Sequence, residues 1–437
     1  MNSDILELVT NYWPIKSVYG INSEFLPGKT TIPYSGPVWD TEEVAAAIET
    51  LLEGKWLTSG EKVREFEKEF VPLVGQKYGI MCNSGSSANL LMVAALRSKR
   101  LYGFDDIAVI TPVAGFPTTV APILQNGFRP IFVDIELKTL NLDLDSVEAK
   151  ITPDVKAIMF AHVLGNPPDM DRVMDLCRSR NLIFLEDTCD ALGSSWDGVP
   201  LGSFGSMSTC SFYPAHHVTT CEGGMVSTSH PEIERILRSL CWWGRDCYCV
   251  GKANLLENGT CGHRFDTWLP ALPNHVIDHK YCFSEMGYNL KPLDLQGAIG
   301  LVQLKKIDQI HKKRKANFEE YRQFFMDYPD LFQIAEVYPK ADVSWFGFPL
   351  TVITDRFTKE QLVRYLESAK IQTRNYFAGN LLFHPAYAHL GKASDYPNAV
   401  KVTYSTFFLG VSPNLTAEQL EYVKQCFRKF ISSIKAL

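Results

Sequence analysis

No stretch of this 437-residue chain approaches the ~18 consecutive apolar residues that a membrane-spanning helix requires. Excess basic charge is missing too: the net charge is −6 and the isoelectric point near 6.0, which argues against nucleic acid as a main partner. The densest basic run, Lys305 to Lys315, alternates with apolar positions and reads as a solvated helix face. There is no internal repeat and no low-complexity tract, so the chain does not read as a repeat array. Met1 to Ser17 lacks the basic-then-apolar pattern of an export signal. The expectation is a soluble, cytoplasmic protein with no membrane or nucleic-acid partner. In that setting the eleven cysteines do not read as a disulfide framework. Cys82, Cys177, Cys210, Cys282 and Cys426 sit inside apolar segments and are expected to be core filler.

What is present is ordinary globular composition, 46% hydrophobic and 12% aromatic, on a chain long enough for two or three domains. Residues 1–34 lack periodicity, carry Pro14, Pro27 and Pro33, and read as an irregular N-terminal arm. Asp40-Thr-Glu-Glu43 resembles a capping box, opening a helix whose apolar face is predicted to be Val44, Ile48, Leu51 and Leu52. From Tyr78, short apolar runs alternate with helical stretches. The predicted strands are Tyr78–Cys82, Ile107–Thr111, Pro130–Ile135, Ala157–Val163, Leu182–Glu186 and Thr209–Tyr213. Between them lie helical stretches such as Ala88–Leu101, Leu144–Lys150 and Met170–Arg180. Such alternation predicts an α/β fold with a mainly parallel sheet covered by helices. The large domain is placed at 35–305, with a cysteine-containing loop insertion near 241–290. A long helix is predicted from Leu293 past Tyr321. The remainder, 306–437, reads as a smaller α+β domain containing Trp345–Val352, helix Lys359–Ala369 and a terminal helix Ala417–Ile434.

Four motifs carry chemistry. Asn83-Ser-Gly-Ser-Ser-Ala-Asn89 joins a strand to a helix, where backbone N–H groups with the Ser86 and Ser87 hydroxyls suit a phosphate; alone, such a turn is more often only a turn. Ala114-Gly-Phe-Pro-Thr-Thr119 follows another strand, and by itself Phe116 could be a core residue. Asp187 closes a strand at its carboxyl end, where open α/β sheets place ligands, although a lone aspartate there is usually a helix cap. The fourth stretch, Ser208 to Met225, holds a strand, a proline break, His216-His217 and the diglycine Gly223-Gly224.

Taken together, these motifs resemble the DegT/DnrJ/EryC1/StrS family of sugar aminotransferases, which use pyridoxal 5′-phosphate on a fold-type I scaffold. The resemblance implies that Gly85, Ser86, Ser87 and Ser211 hold the cofactor phosphate, that Phe116 lies over the pyridine ring, and that Asp187 pairs with the ring nitrogen. Gly287-Tyr-Asn289 is similar to the segment from which an asparagine reaches the neighbouring subunit's phosphate, implying that Asn289 acts across a homodimer. The family's cofactor-binding lysine is replaced here by His216. Asp190 and Tyr213 also depart from the residues common in the aminotransferases. A histidine at that place can act as a base toward the cofactor's C4′ carbon but cannot hold the aldehyde covalently. The form implied is therefore pyridoxamine 5′-phosphate, held non-covalently, and His217 is left structural.

The same substitution occurs in a subgroup resembling the 4-keto-6-deoxy-sugar 3-dehydratases. Cys189, Cys247, Cys249 and Cys261 are separated by 57, 1 and 11 residues. On spacing alone a metal site, reactive thiols and plain loop cysteines all stay open. The resemblance extends to the dehydrase that acts on CDP-4-dehydro-6-deoxyglucose and carries a [2Fe–2S] cluster. It implies those four ligands and a separate NAD(P)H-dependent flavin/iron–sulfur reductase as electron source. The function implied is C3 dehydration and deoxygenation of a nucleotide-linked 4-keto-6-deoxyhexose. The alternatives are a cluster-independent 3-dehydratase, a dehydrase of a TDP-linked sugar, or a non-catalytic redox sensor.

Overall fold

Seven strands organise the larger part of the chain. In the computed structural model, which describes residues 2–12, 24–247, 264–265 and 269–435, their order across the sheet is Tyr78–Cys82, Gly224–Thr228, Met207–Ser211, Ile183–Asp187, Val155–Ala161, Ala108–Pro112 and Arg129–Val133. Gly224–Thr228 runs antiparallel to both neighbours; every other pairing is parallel. Ala108–Pro112 and Met207–Ser211 are buried along their whole length, as expected of strands covered on both faces. The mainly parallel α/β sheet is the one the apolar runs predict, with ends displaced by a residue or two. Cys82, Cys177, Cys210, Cys282 and Cys426 are buried free thiols, matching their reading as core filler.

A second sheet, wholly antiparallel, has the order Phe332–Ile334, Gly347–Val352, Thr406–Gly410, Thr373–Asn375. Its core is aromatic. Phe325 stacks on Phe348 at 5.4 Å and meets Phe427 of helix Ala417–Lys435 edge-on at 4.8 Å. Helix Ile307–Phe325 connects the two sheets in sequence.

Four expectations fail for physical reasons. The N-terminal arm is not wholly irregular, since Ser3–Tyr12 is a helix. The long helix predicted from Leu293 is two, Asp294–Lys305 and Ile307–Phe325, parted at Lys306. Helix Thr41–Glu53 has the predicted capping box, yet buries Glu43, Ala45, Ala46 and Thr50 in place of the leucines. Glu43 is drawn inward by Lys306 Nζ at 2.6 Å and Gln303 Nε2 at 2.7 Å, and Ala46 packs against Ala298 and Val302. Leu51 and Leu52 are consequently left 53% and 72% exposed. Finally, the basic run 305–315 is not a solvated face throughout, because Arg314 is only 1% exposed.

Candidate active site

The carboxyl ends of Tyr78–Cys82, Ile183–Asp187 and Met207–Ser211 converge on one cavity of about 740 Å³. Ser84 caps helix Gly85–Ala94: its Oγ accepts from Ser87 N at 3.1 Å and pairs with Ser87 Oγ at 3.0 Å. This leaves the Ser86 hydroxyl on the cavity wall, where it donates to Thr118 Oγ1 at 3.1 Å, while Ser87 is drawn off it. Close approach explains the glycine at 85: a Cβ there would stand 2.5 Å from Ser211 Cβ. Thus the helix start and the end of the strand at Ser211 meet over the cavity floor.

Asp187 is buried, and its position is over-determined. Its Oδ2 accepts from Asn89 Nδ2 and Thr119 Oγ1, both at 2.8 Å, and its Oδ1 accepts from Cys189 N at 3.1 Å. Asn89 is itself held by Thr209 Oγ1, which donates to Asn89 Oδ1 at 2.6 Å. Asn89 and Thr119 stand inside the two strand-end motifs, and the signal for their role is that both follow a strand end of the same sheet. Phe116 starts helix Pro117–Gln125 and is 50% exposed on the cavity, not packed in the core.

The His216 side chain lines the same cavity at 15% exposure, with its ring 5.1 Å from the Phe346 ring. Its Nδ1 lies 3.6 Å from Asp190 Oδ1, beyond hydrogen-bond reach, and has no partner. Burial, and next the Arg314 cation, hold the imidazole pKa down to about 3, so the ring is neutral at physiological pH. Asp190 is pushed the other way, up to about 8, by burial and by Asp187. His217 faces away: it is buried and its Nε2 donates to Ser344 O at 2.9 Å, which fits a structural role. From the second sheet and its flanks come Phe346, Arg374, Phe377 and Phe408, and Tyr34 enters from the N-terminal segment. None of these five was singled out in the sequence as a site residue, because they lie outside the strand-end turns. Arg374 Cζ sits 3.9 Å from the centre of the Tyr34 ring.

The cysteines divide. Cys189 lines the cavity, its thiol pKa raised well above the ordinary value by burial and by Asp187. Cys247 is buried elsewhere, with Sγ 3.5 Å from His279 Nε2. Cys249 and Cys261 lie outside the described residues. Among the described residues, no group of three or more His, Cys, Asp or Glu is arranged to hold a metal. Asn289 is bridged to Trp242 and accepts from Lys291 Nζ, and it does not line this chain's own cavity.

Comparison with known proteins places these residues in context. Residues 39–428 match the DegT/DnrJ/EryC1/StrS aminotransferase family. The chain is 42% identical over 413 residues to the lipopolysaccharide biosynthesis protein RfbH of Salmonella typhimurium, covering 93% of each. It is 42% identical over 416 residues to the dTDP-4-dehydro-2,6-dideoxy-D-glucose 3-dehydratase of Saccharopolyspora spinosa, covering 93% of this chain and 88% of that one. Among solved structures, the E. coli GDP-4-keto-6-deoxy-D-mannose-3-dehydratase with bound hydrated PLP superposes with a TM-score of 0.78 at 30% identity. That match covers 90% of this chain and 98% of the other.

Proposed function

The chain belongs to the DegT/DnrJ/EryC1/StrS aminotransferase family, and from that premise we propose that it removes the C3 hydroxyl of a nucleotide-linked 4-keto-6-deoxyhexose in deoxysugar biosynthesis, with pyridoxamine 5′-phosphate as cofactor. One observation carries this reading: His216, which the family resemblance sets at the lysine's place, lines the cavity, and no lysine does so among the described residues. Two relatives with this chemistry in their names, a dTDP-sugar 3-dehydratase and a GDP-sugar 3-dehydratase, point the same way.

The cavity residues fit such a cofactor. The N–H groups of Gly85 and Ser86 at a helix start, with the Ser86 and Ser211 hydroxyls, would hold its phosphate. Asp187, fixed by Asn89 and Thr119, would pair with the ring nitrogen and keep it protonated, and Phe116 would cover the ring. When bound, the group supplies an electron sink. With that group bound, His216 would accept the proton from its C4′ carbon and return it to the departing C3 hydroxyl. Arg374 is the one arginine or lysine among the described lining residues and would meet the substrate's diphosphate. Asn289 lies off its own cavity and Leu51 and Leu52 are exposed, which supports a homodimer in which Asn289 completes the partner's site.

A finer reading adds reduction of the dehydrated sugar. It names CDP-4-dehydro-6-deoxyglucose as substrate, a [2Fe–2S] cluster on Cys189, Cys247, Cys249 and Cys261, and an NAD(P)H-dependent flavin/iron–sulfur reductase as partner. Four thiols are the donor chemistry such a cluster takes; of the two described, Cys189 opens onto the cavity beside Asp187, while Cys247 does not line it and meets His279. The test is incubation of the full chain and pyridoxamine phosphate with CDP- and dTDP-linked 4-keto-6-deoxyhexoses, with and without a reductase. Loss of the C3 hydroxyl is expected. Amino transfer without dehydration would sink the reading and leave an aminotransferase; no turnover of either sugar would sink it too and leave a lapsed aminotransferase or a redox sensor.

A further inference from the structure

Arg314 is buried in the third turn of helix Ile307–Phe325, and among the described residues no carboxylate forms an ion pair with it. Its two Nη groups donate to carbonyls from two parts of the chain, while Nε has no partner. Nη1 donates to Trp345 O at 3.3 Å and Phe346 O at 3.1 Å; Nη2 donates to Ala215 O and His216 O, both at 3.3 Å. Desolvating a cation is costly, and an aliphatic side chain would fill the same volume without that cost. What an aliphatic side chain lacks is a planar fork that fixes two pairs of carbonyls at once.

The two segments it joins are those that set the position of His216. One is the loop carrying His216 itself; the other carries Phe346, whose ring lies 5.1 Å from the imidazole and 5.9 Å from Arg314 Cζ. Phe346 is anchored on its far side, its N–H donating to Leu164 O at 2.9 Å. Ala215 O receives a second donor, the buried Ser35 hydroxyl, at 2.7 Å. The histidine loop is therefore held from the helix and from the N-terminal segment, and the imidazole makes no hydrogen bond of its own through Nδ1. Apart from a contact with the Cys189 backbone, its aim depends on the backbone that carries it.

We propose that Arg314 is a positioning residue for the catalytic group: by bracketing the carbonyls of Ala215–His216 and Trp345–Phe346, it aims side chain 216 at the reactive carbon of the cofactor. This rests on the reading of His216 given above. Ser35 acts in the same sense on one carbonyl only, so its contribution is smaller.

The test uses position 216 as a geometric probe. In H216K, a lysine amine should condense with the aldehyde of added pyridoxal 5′-phosphate with loss of water, and borohydride should fix the bond as a secondary amine detectable by mass. The rate of this capture at saturating cofactor reports the aim of residue 216, not activity. Adding R314Q or R314K should slow capture roughly tenfold or more, since small misplacements of reacting groups carry large rate costs. R314K keeps the charge but cannot bracket both carbonyl pairs, so it should not rescue. S35A should slow capture by about two- to threefold, and it disturbs the core least should R314Q not fold. Affinity for non-covalent pyridoxamine phosphate should change less than twofold in all three. A purely structural Arg314 predicts instead lowered unfolding temperature with an unchanged capture rate, and that result in R314K and S35A overturns the proposal. Failure of H216K alone to capture any cofactor would overturn the underlying reading of the cavity, and the proposal with it.

Discussion

On the cavity wall built by the large sheet, the polar groups sit at strand ends and in the turns that follow them: Ser86 after Tyr78–Cys82, Asp187 closing Ile183–Asp187, Ser211 closing Met207–Ser211. The facing wall is assembled from Phe346, Arg374 and Phe377, far downstream in the chain, and from Tyr34, far upstream. The first wall is dense in hydrogen bonds, with three donors on Asp187 alone. The second is mostly aromatic, with one cation. That difference matches a division of labour in which one wall fixes the cofactor and the other admits a variable substrate. Sheet backbone gives the first its precision; side-chain packing gives the second its latitude.

The hardest test of this division falls on His216, which belongs to the cofactor wall yet is aimed from the other side. H216N should lower C3 dehydration by ~10²–10⁴-fold, the usual worth of a positioned base, with cofactor affinity little changed. If the proposed cluster carries electrons from a reductase, C261S should behave oppositely: product formation with the reductase is lost, while release of the C3 hydroxyl, read as solvent oxygen exchange, persists. Equal loss of exchange in both variants would erase the distinction between base and cluster. Full product formation in C261S would remove the cluster from the account.

Within the cofactor wall, D187N should cost about a hundredfold in turnover, comparable to losing one well-placed electrostatic group from a buried site. Asparagine keeps the volume and an acceptor for Asn89 or Thr119, so the fold should survive. The ultraviolet–visible spectrum of bound cofactor checks this, because loss of ring-nitrogen protonation shifts its absorption. On the substrate wall, R374Q should raise KM by roughly tenfold with kcat nearly constant, the size of one charge-assisted hydrogen bond. If R374Q lowered kcat and left KM alone, the assignment of the two walls would be reversed.

Much of the wall built by the large sheet is legible in the chain because its residues obey local rules. Continuous apolar runs such as Ile158-Met-Phe-Ala161 locate buried parallel strands, and ligands gather at the carboxyl ends of such strands. The substrate wall obeys no such rule, since nothing local to Arg374 or Phe346 says what they face. Arg314 was hidden further by its neighbours. In a run that also holds Lys305, Lys306, Lys312, Lys313 and Lys315, helical periodicity does not show which cation turns inward. Helix Thr41–Glu53 misled in the opposite way. Its leucines outrank its alanines in hydrophobicity, but small residues and a paired glutamate permitted closer approach to Asp294–Lys305.

Those displaced leucines give the smallest expected effect and ask whether the cofactor wall is complete in one chain. Leu51 and Leu52 are exposed, so replacing both by serine should change the unfolding free energy of the isolated chain by no more than about 0.5 kcal/mol. If they lie in a homodimer interface, the same pair should raise the dissociation constant of the dimer, since each loses apolar area otherwise covered. Sedimentation velocity across a dilution series reads this directly. If Asn289 reaches the partner's phosphate across that interface, cofactor affinity should fall by a few-fold on dilution, following the dimer. N289A should produce a similar loss of affinity without dissociation, about the worth of one hydrogen bond. A monomeric L51S/L52S chain that binds pyridoxamine phosphate as tightly as the parent would show that Ser86, Ser211 and the helix start suffice. The cofactor wall would then be the work of a single chain, and Asn289 would have no part in it.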